Sequence, residues 1–349
     1  MLTIIKPFHA AAAEKRMDQV LAQAIEGIET ECLETAEELM HTELAGKRLL
    51  FAVGLSATGI NIEYYKMLEY LRSREGCLKG CVAGVIVDGK GELFTKSLAR
   101  RLVFAANLAG CTFIGKPLVE ATGSLYNFHV IGKVWGVDNY SAYAKQSWDL
   151  VRRILNFKMP QVMGKQILAI HASNRNLSNS MLLWEKVKEN LRSDGEVTEI
   201  SLRNGQMMDC RGCKYEECVH FGVKNSCFYR GIMVEQVYPA ILRCDTLVMI
   251  CPNYNDAVSA NLTAFINRLT SVFRTHDFSR KRVFALVVSG YSGGDIVAEQ
   301  VIGAMNFNKN FILPAGFAIM KTANESKTIL QVPHLEEDAA AFAKRINGI

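Results

Sequence analysis

Short apolar runs, each followed by an amphipathic stretch, alternate through most of this chain, and that alternation leaves few folds open. Strands of a parallel sheet are covered on both faces by helices, so they read as nearly continuous apolar segments. In the C-terminal half the runs are QILAIHA from 166, EVTEISL from 196, TLVMICP from 246, RVFALVVSG from 282 and FILPAGFAIM from 311. Helical periodicity lies between and after them, near 179–192, 231–243, 258–274, 295–307 and 334–346. The pattern predicts an α/β fold with a doubly wound, parallel five-stranded sheet.

The N-terminal half repeats part of this plan. RLLFAVG from 48 precedes a helix containing IEYYKMLEYLR, CVAGVIVDG from 81 precedes KSLARRLVFAANLAG, and CTFIGKPLV follows. VIVDG at 85–89 falls on LVVSG at 286–290 and Asn107 on Asn308, an offset of 201; LLFAVG at 49–54 falls on LVMICP at 247–252, an offset of 198. Two unrelated βα units also share such short windows, so the internal repeat is an expectation. At 349 residues the chain exceeds what one core usually sustains, and LNFKMPQVMGK at 155–165 marks the boundary. The expected domains are 1–160, a degenerate α/β domain, and 161–349.

With 49% hydrophobic and 21% charged residues the whole chain is expected to fold. The formal charge of +5 comes from small basic groups such as RSR at 72–74 and SRKR at 279–282. These read as solvated helix ends, not as the basic face interleaved with aromatics that nucleic acid requires. The N-terminus has no leading positive charge, its apolar run is cut by Lys6, and no run is long enough to span a bilayer. The expectation is a cytoplasmic protein without nucleic-acid or membrane partners, in which ten cysteines are not structural disulfides.

Ligands of doubly wound sheets lie beyond the carboxyl ends of the strands. After the first strand of the second half, Ser173, Arg175, Ser178, Asn179 and Ser180 crowd together before a helix. Hydroxyls, an arginine and a free helix N-terminus suit a phosphate. No glycine-rich cradle accompanies them, which argues against a dinucleotide or a P-loop; capping alone explains Ser178 or Asn179 but not the cluster. After the third strand come Pro252, Asn253, Tyr254 and Asn255, with amides and an aromatic face for a ring. After the fourth come Ser289, Gly290, Tyr291, Gly293 and Gly294, where absent side chains let a flat ligand approach the backbone. Together these loops describe a site for a flat ring on a chain ending in phosphate, which is FMN.

The loops resemble those of the NADPH-dependent FMN reductase and iron-sulfur flavoprotein families of the flavodoxin-like fold. The phosphate loop appears as Ala172, Ser173, Asn174 and Arg175 before Ser178, Asn179 and Ser180. The ring-binding motif appears as Pro252, Asn253 and Tyr254, then Ser259, Leu262, Phe265, Ile266, Asn267 and Arg268. The resemblance covers about residues 165–320 and implies FMN bound at an interface, as in the family's dimers. It implies a pseudo-dimer within one polypeptide, the first half serving as partner without a phosphate loop of its own; further homo-oligomerisation stays open. The first half's loops GLSATGIN and DGKGELF carry no matched cofactor set, so one FMN per chain is expected.

The segment DCRGCKYEECVHFGVKNSC from 209 carries Cys210, Cys213, Cys218 and Cys227, with two, four and eight residues between successive cysteines. Iron-sulfur members of the family place a tighter cysteine motif in this loop. Four such thiolates suit a 4Fe-4S cluster or zinc; unmetallated or redox-active thiols are the other reading, and His220 lies within reach of a ligand role. Cys32, Cys77, Cys81, Cys111, Cys244 and Cys251 read as buried small hydrophobes.

The functional expectation is an FMN-dependent oxidoreductase or electron-transfer flavoprotein with a small-molecule or protein electron donor and acceptor. Arg175 neutralises phosphate, Tyr254 packs near the ring, and no acid, base or nucleophile is assigned. Two other readings stay open: an NAD(P)H-dependent flavin or quinone reductase whose cysteines are not ligands, and a non-catalytic binding protein that lost its cofactor.

Overall fold

The computed structural model describes residues 1–9, 14–161, 163–173 and 178–348. The chain divides into two compact units, Met1–Lys158 and Met159–Ile349. The first holds β1 (Leu2–Ile5), α1 (Glu14–Ala24), β2 (Thr30–Leu33), α2 (Ala36–His41), β3 (Arg48–Leu55), α3 (Ile62–Ser73), β4 (Val82–Gly89), α4 (Thr95–Leu108), β5 (Thr112–Ala121), α5 (His129–Trp135) and α6 (Asn139–Asn156). The second holds β6 (Gln166–His171), α7 (Asn179–Lys188), β7 (Glu196–Ser201), α8 (Tyr215–Gly222), α9 (Tyr238–Arg243), β8 (Thr246–Pro252), α10 (Ala260–Arg268), α11 (Thr270–Phe273), β9 (Arg282–Ser289), α12 (Gly294–Val301), β10 (Ala318–Thr322) and α13 (Leu335–Asn347).

Each unit is built on a parallel five-stranded sheet, ordered β2-β1-β3-β4-β5 in the first and β10-β9-β8-β6-β7 in the second. Counted within each unit, both read 2-1-3-4-5, the flavodoxin-like order. The central strands are buried along their length, Leu49–Val53 in β3 and Val283–Val287 in β9, as strands covered on both faces must be. The edge strands β2 (TECL) and β7 (EVTEIS) carry charge and are mostly exposed or partly buried, which discourages pairing with another chain.

Several expectations change. The run from 311 is not one strand. Ile312 makes an isolated bridge to Arg282, Gly316 turns the chain at φ +59, and β10 begins only at Ala318. Pro314, lacking an N–H, ends the first pairing. The helical stretches near 231–243 and 295–307 each contain a π-helical turn, at Met233–Val237 and Ile302–Phe307. Asn107 donates to the Cys111 carbonyl at 3.0 Å, and the residue making the matching bond in the second unit is Asn306, to Phe311 at 2.7 Å, not the exposed Asn308. The offset there is 199, not 201, and the bond spans five residues in place of four, at the end of the π turn. Cys32 is exposed, not buried, because alternation along the edge strand turns it outward with Thr30, and Cys77 is partly buried.

Candidate functional site

The ends of β6, β8, β9 and β10 and the start of α7 enclose a cleft of about 760 Å³, a size suited to a small organic cofactor. It lies at the carboxyl edge beside the β6–β8 junction, where successive connections leave on opposite faces.

At one end is the hydroxyl cluster. Ser178 caps α7 with its backbone extended (φ −70, ψ 149), and its Oγ accepts from the Met181 N–H at 3.4 Å. Ser173 Oγ donates to Ser178 Oγ at 3.0 Å, and Ser180 Oγ stands 3.3 Å from it. Asn179 lines the cleft as well. Its Nδ2 donates to the carbonyls of Ala323 (3.0 Å) and Glu325 (2.8 Å), so its amide hydrogens brace α7 against the loop after β10. Arg175 lies outside the described residues.

At the other end, Pro252, Asn253 and Tyr254 line the wall with Gly290. Asn253 joins the two loops: its Nδ2 faces Ser289 Oγ at 3.1 Å, Asp256 Oδ1 at 3.2 Å and the Ser292 carbonyl at 2.9 Å. Tyr254 presents its ring to solvent at 65% exposure. Asn255 does not line the cleft; with Asp256 it forms a left-handed turn (φ +55 and +54), a conformation these two residue types tolerate. Ser289 is buried beneath the wall, and Tyr291, 81% exposed, accepts at its hydroxyl from Asn324 Nδ2 at 2.8 Å. Gly293 sits at φ +80, where a Cβ would stand 1.9 Å from Asp256 Oδ1. Gly294 has only ordinary contact at its Cβ position, 3.5 Å from Ser289 Oγ.

Sequence reasoning missed Asn204, Asn261, Asn324 and Ser326, which also line the cleft. Asn261 Nδ2 donates to the Leu202 carbonyl at 2.7 Å and Asn204 Oδ1 at 2.9 Å, tying α10 to the loop after β7. The Asn204-Gly205 turn at a strand end was the available signal. Every described lining side chain is neutral.

Residues 166–325 match the NADPH-dependent FMN reductase family. The matched segment carries all of the cleft lining but Ser326. No curated protein matches the chain. Among solved structures it is similar to Smu.1420 from Streptococcus mutans UA159 (12% identity, 52% of this chain and 99% of that one, TM-score 0.38). It is also similar to an azoreductase from Bacillus anthracis str. Sterne (17%, 52% and 99%, 0.35) and to the NAD(P)H:quinone oxidoreductase of Methanothermobacter marburgensis (16%, 52% and 93%, 0.35).

The last residue of β6 is His171, buried and 3.8 Å from Glu199, which also accepts from Trp184 Nε1 at 2.8 Å. Burial pushes the imidazole below its ordinary value against the pull of Glu199. The folded state therefore favours neutral His171. Its contribution to stability is present above about pH 6.5 and is lost as pH falls through the depressed value. Urea midpoints of the second unit are expected to drop across that acidic window, and His171→Gln to flatten the drop; an equal drop in the variant places the titration elsewhere.

The corresponding strand ends of the first unit carry different chemistry. Asp88, where the second unit has Ser289, is buried and receives Arg16 through Nη2 at 2.5 Å and Nε at 3.1 Å. Arg16 also donates to the carbonyls of Gly89, Thr122 and Gly123 at 3.0–3.3 Å. The guanidinium ties the ends of β4 and β5 together, each of its nitrogens making at least one of these bonds.

The four cysteines of the 209–227 segment do not form an assembled site. Among the described residues no group of three or more His, Cys, Asp or Glu is arranged to hold a metal ion. Cys210 and Cys213 lie on the irregular approach to α8, Cys218 is on that helix, and Cys227 follows a left-handed turn at Asn225 (φ +53). They nevertheless share a neighbourhood: burial raises the Cys218 thiol pKa, and Cys210, Cys227 and Cys213 add to the rise. Among the described residues no helix is long and apolar enough to cross a membrane.

Proposed function

We propose that the chain is an FMN-dependent oxidoreductase that binds one FMN in the cleft of its second unit, with NAD(P)H as reductant. The observation carrying this reading is the convergence of the post-β6, post-β8 and post-β9 loops on one cleft within the segment that matches the FMN reductase family. When bound, FMN supplies the redox chemistry, accepting and passing on electrons. The chain's part is to hold and orient it. The first N–H groups of α7 and the hydroxyls of Ser173, Ser178 and Ser180 suit the phosphate, joined by Arg175 from the same loop. Tyr254 offers its exposed ring to the isoalloxazine, and Gly290 lets the ring edge approach the backbone.

The finer part of the proposal is a thiolate-bound 4Fe-4S or zinc centre on Cys210, Cys213, Cys218 and Cys227. α10 connects the two places: Asn261 lines the cleft, and Asn267 Nδ2 holds Asp209 Oδ1 at 2.9 Å, next to Cys210. Along a helix that interval is about 9 Å. The unassembled thiols favour the second reading, an NAD(P)H-dependent flavin or quinone reductase whose cysteines are not ligands.

Anaerobic titration of the purified chain with FMN is expected to saturate at one equivalent, and NADPH to bleach the bound flavin. A folded chain that binds no FMN would sink the proposal. Iron, sulfide and zinc analysis separates the two readings of the cysteines.

A further inference from the structure

His171 carries an unused hydrogen-bonding group next to the cleft. The residue is 7% exposed, and its Nδ1 is buried with no hydrogen-bond partner among the described residues. Its Nε2 faces Glu199 Oε1 at 3.8 Å, beyond hydrogen-bond reach but close enough to favour the tautomer with the proton on Nε2. In that tautomer Nδ1 is an acceptor, and a buried acceptor without a donor is uncommon in a folded chain and costs stability.

The place of the ring in the fold gives the group a use. His171 ends β6, and the next two residues, Ala172 and Ser173, line the cleft. Glu199 on β7 faces His171 and also accepts from Trp184 Nε1 at 2.8 Å, so the ring lies on the side of the sheet that α7 covers. Ser178, Asn179 and Ser180, at the start of that helix, are in the cleft wall, where free N–H groups and the helix dipole favour an anion. Burial pushes the ring toward its neutral form against the charge of Glu199; Arg203 adds to the push, and the Ser173 backbone opposes it. Lys188 on α7 reaches Glu199 at 3.6 Å and Glu185 at 2.7 Å, while β8, the other neighbour, sets Ile250 in register with His171 and brings no charge.

We propose that His171 is a positioning residue for the flavin phosphate, taking up one proton from solvent when the phosphate docks at the first turn of α7. Protonation turns Nδ1 from an unmatched acceptor into a donor toward the Ser173 backbone, and it sets a positive charge beneath a wall whose described side chains are neutral. No electron moves and the phosphate keeps its own charge. The coupling makes His171 a determinant of the preference for FMN over riboflavin, and it rests on the FMN reading of the cleft.

The test uses the full chain stripped of flavin and titrated with FMN or riboflavin between about pH 6 and about pH 8, with proton uptake measured by calorimetry in buffers of different ionisation enthalpy. The free ring titrates below its ordinary value and the phosphate raises it, so affinity should increase as pH falls toward that window. The phosphate of FMN titrates near pH 6 in any protein, so wild type is compared with His171→Gln. Relative to that variant, wild type is expected to bind FMN roughly fivefold more tightly at the acid end than at the alkaline end and to take up more protons per FMN; one linked proton allows at most about tenfold per pH unit. Riboflavin should show no such difference. If glutamine does not fold, the His171 resonance of wild type, followed by NMR, should titrate at higher pH with FMN than with riboflavin. Equal pH slopes and proton counts in the two proteins overturn the proposal. So does a loss of FMN affinity in His171→Gln that is the same at every pH, the mark of a merely structural ring, and so does a riboflavin response that matches that of FMN. Wild type that folds but binds no FMN at any pH overturns the flavin reading and this inference together.

Discussion

Gly293→Val is expected to weaken FMN binding by roughly a hundredfold or more while the second unit stays folded. Gly293 sits at φ +80, and an added Cβ would lie 1.9 Å from Asp256 Oδ1 and 3.0 Å from Asn253 Nδ2. A β-branched residue strongly disfavours that backbone region, at a cost of about 1–3 kcal/mol before any clash. Relieving the clash parts Asn253 from Asp256 and Ser292, which separates the two loops that form the ring end of the cleft. Gly294→Ala is the control. There the new methyl would make only ordinary contact, 3.5 Å from Ser289 Oγ, so affinity should stay within a few-fold. Fluorescence titration with FMN reads both. Equal affinity for Gly293→Val and wild type would show that the ring end lies elsewhere.

Asp88→Leu should destabilise the first unit by roughly 3 kcal/mol, the lower end for removing one partner of a buried pair, because Arg16 is a quarter exposed. The carboxylate receives two Arg16 bonds, and without it the guanidinium remains held by carbonyls of Gly89, Thr122 and Gly123 with no opposing charge. The double variant Arg16→Met with Asp88→Leu should recover much of the loss, since apolar replacement of a whole pair is often neutral. Urea unfolding reads the midpoints at unchanged slope. A single variant as stable as wild type would mean that the pair is screened and contributes little.

The strands of the second sheet were legible because both their faces are covered, which writes them as unbroken apolar runs. β1 and β2 were not: LTII is four residues long and stops at Lys6, and TECL is a polar edge strand. The three loops of the cleft were legible from hydroxyl, amide and glycine clusters at strand ends. Asn204, Asn261 and Asn324 were not, because their meeting depends on strand order, which places sequence-distant loops side by side. Spacing put four thiols in one segment without disclosing that they do not converge as a metal site. His171 was visible as the end of an apolar run, but a missing partner is a property of packing that no residue pattern reports.

The neutrality of the described cleft wall sets how the site responds to ionic strength. Ions in solution screen forces between charges and act weakly on neutral dipoles or stacked rings. Raising salt should therefore weaken what Arg175 is proposed to contribute at the phosphate while barely touching the hold on the ring, so riboflavin, the dephosphorylated analogue, should bind weakly but almost independently of added potassium chloride.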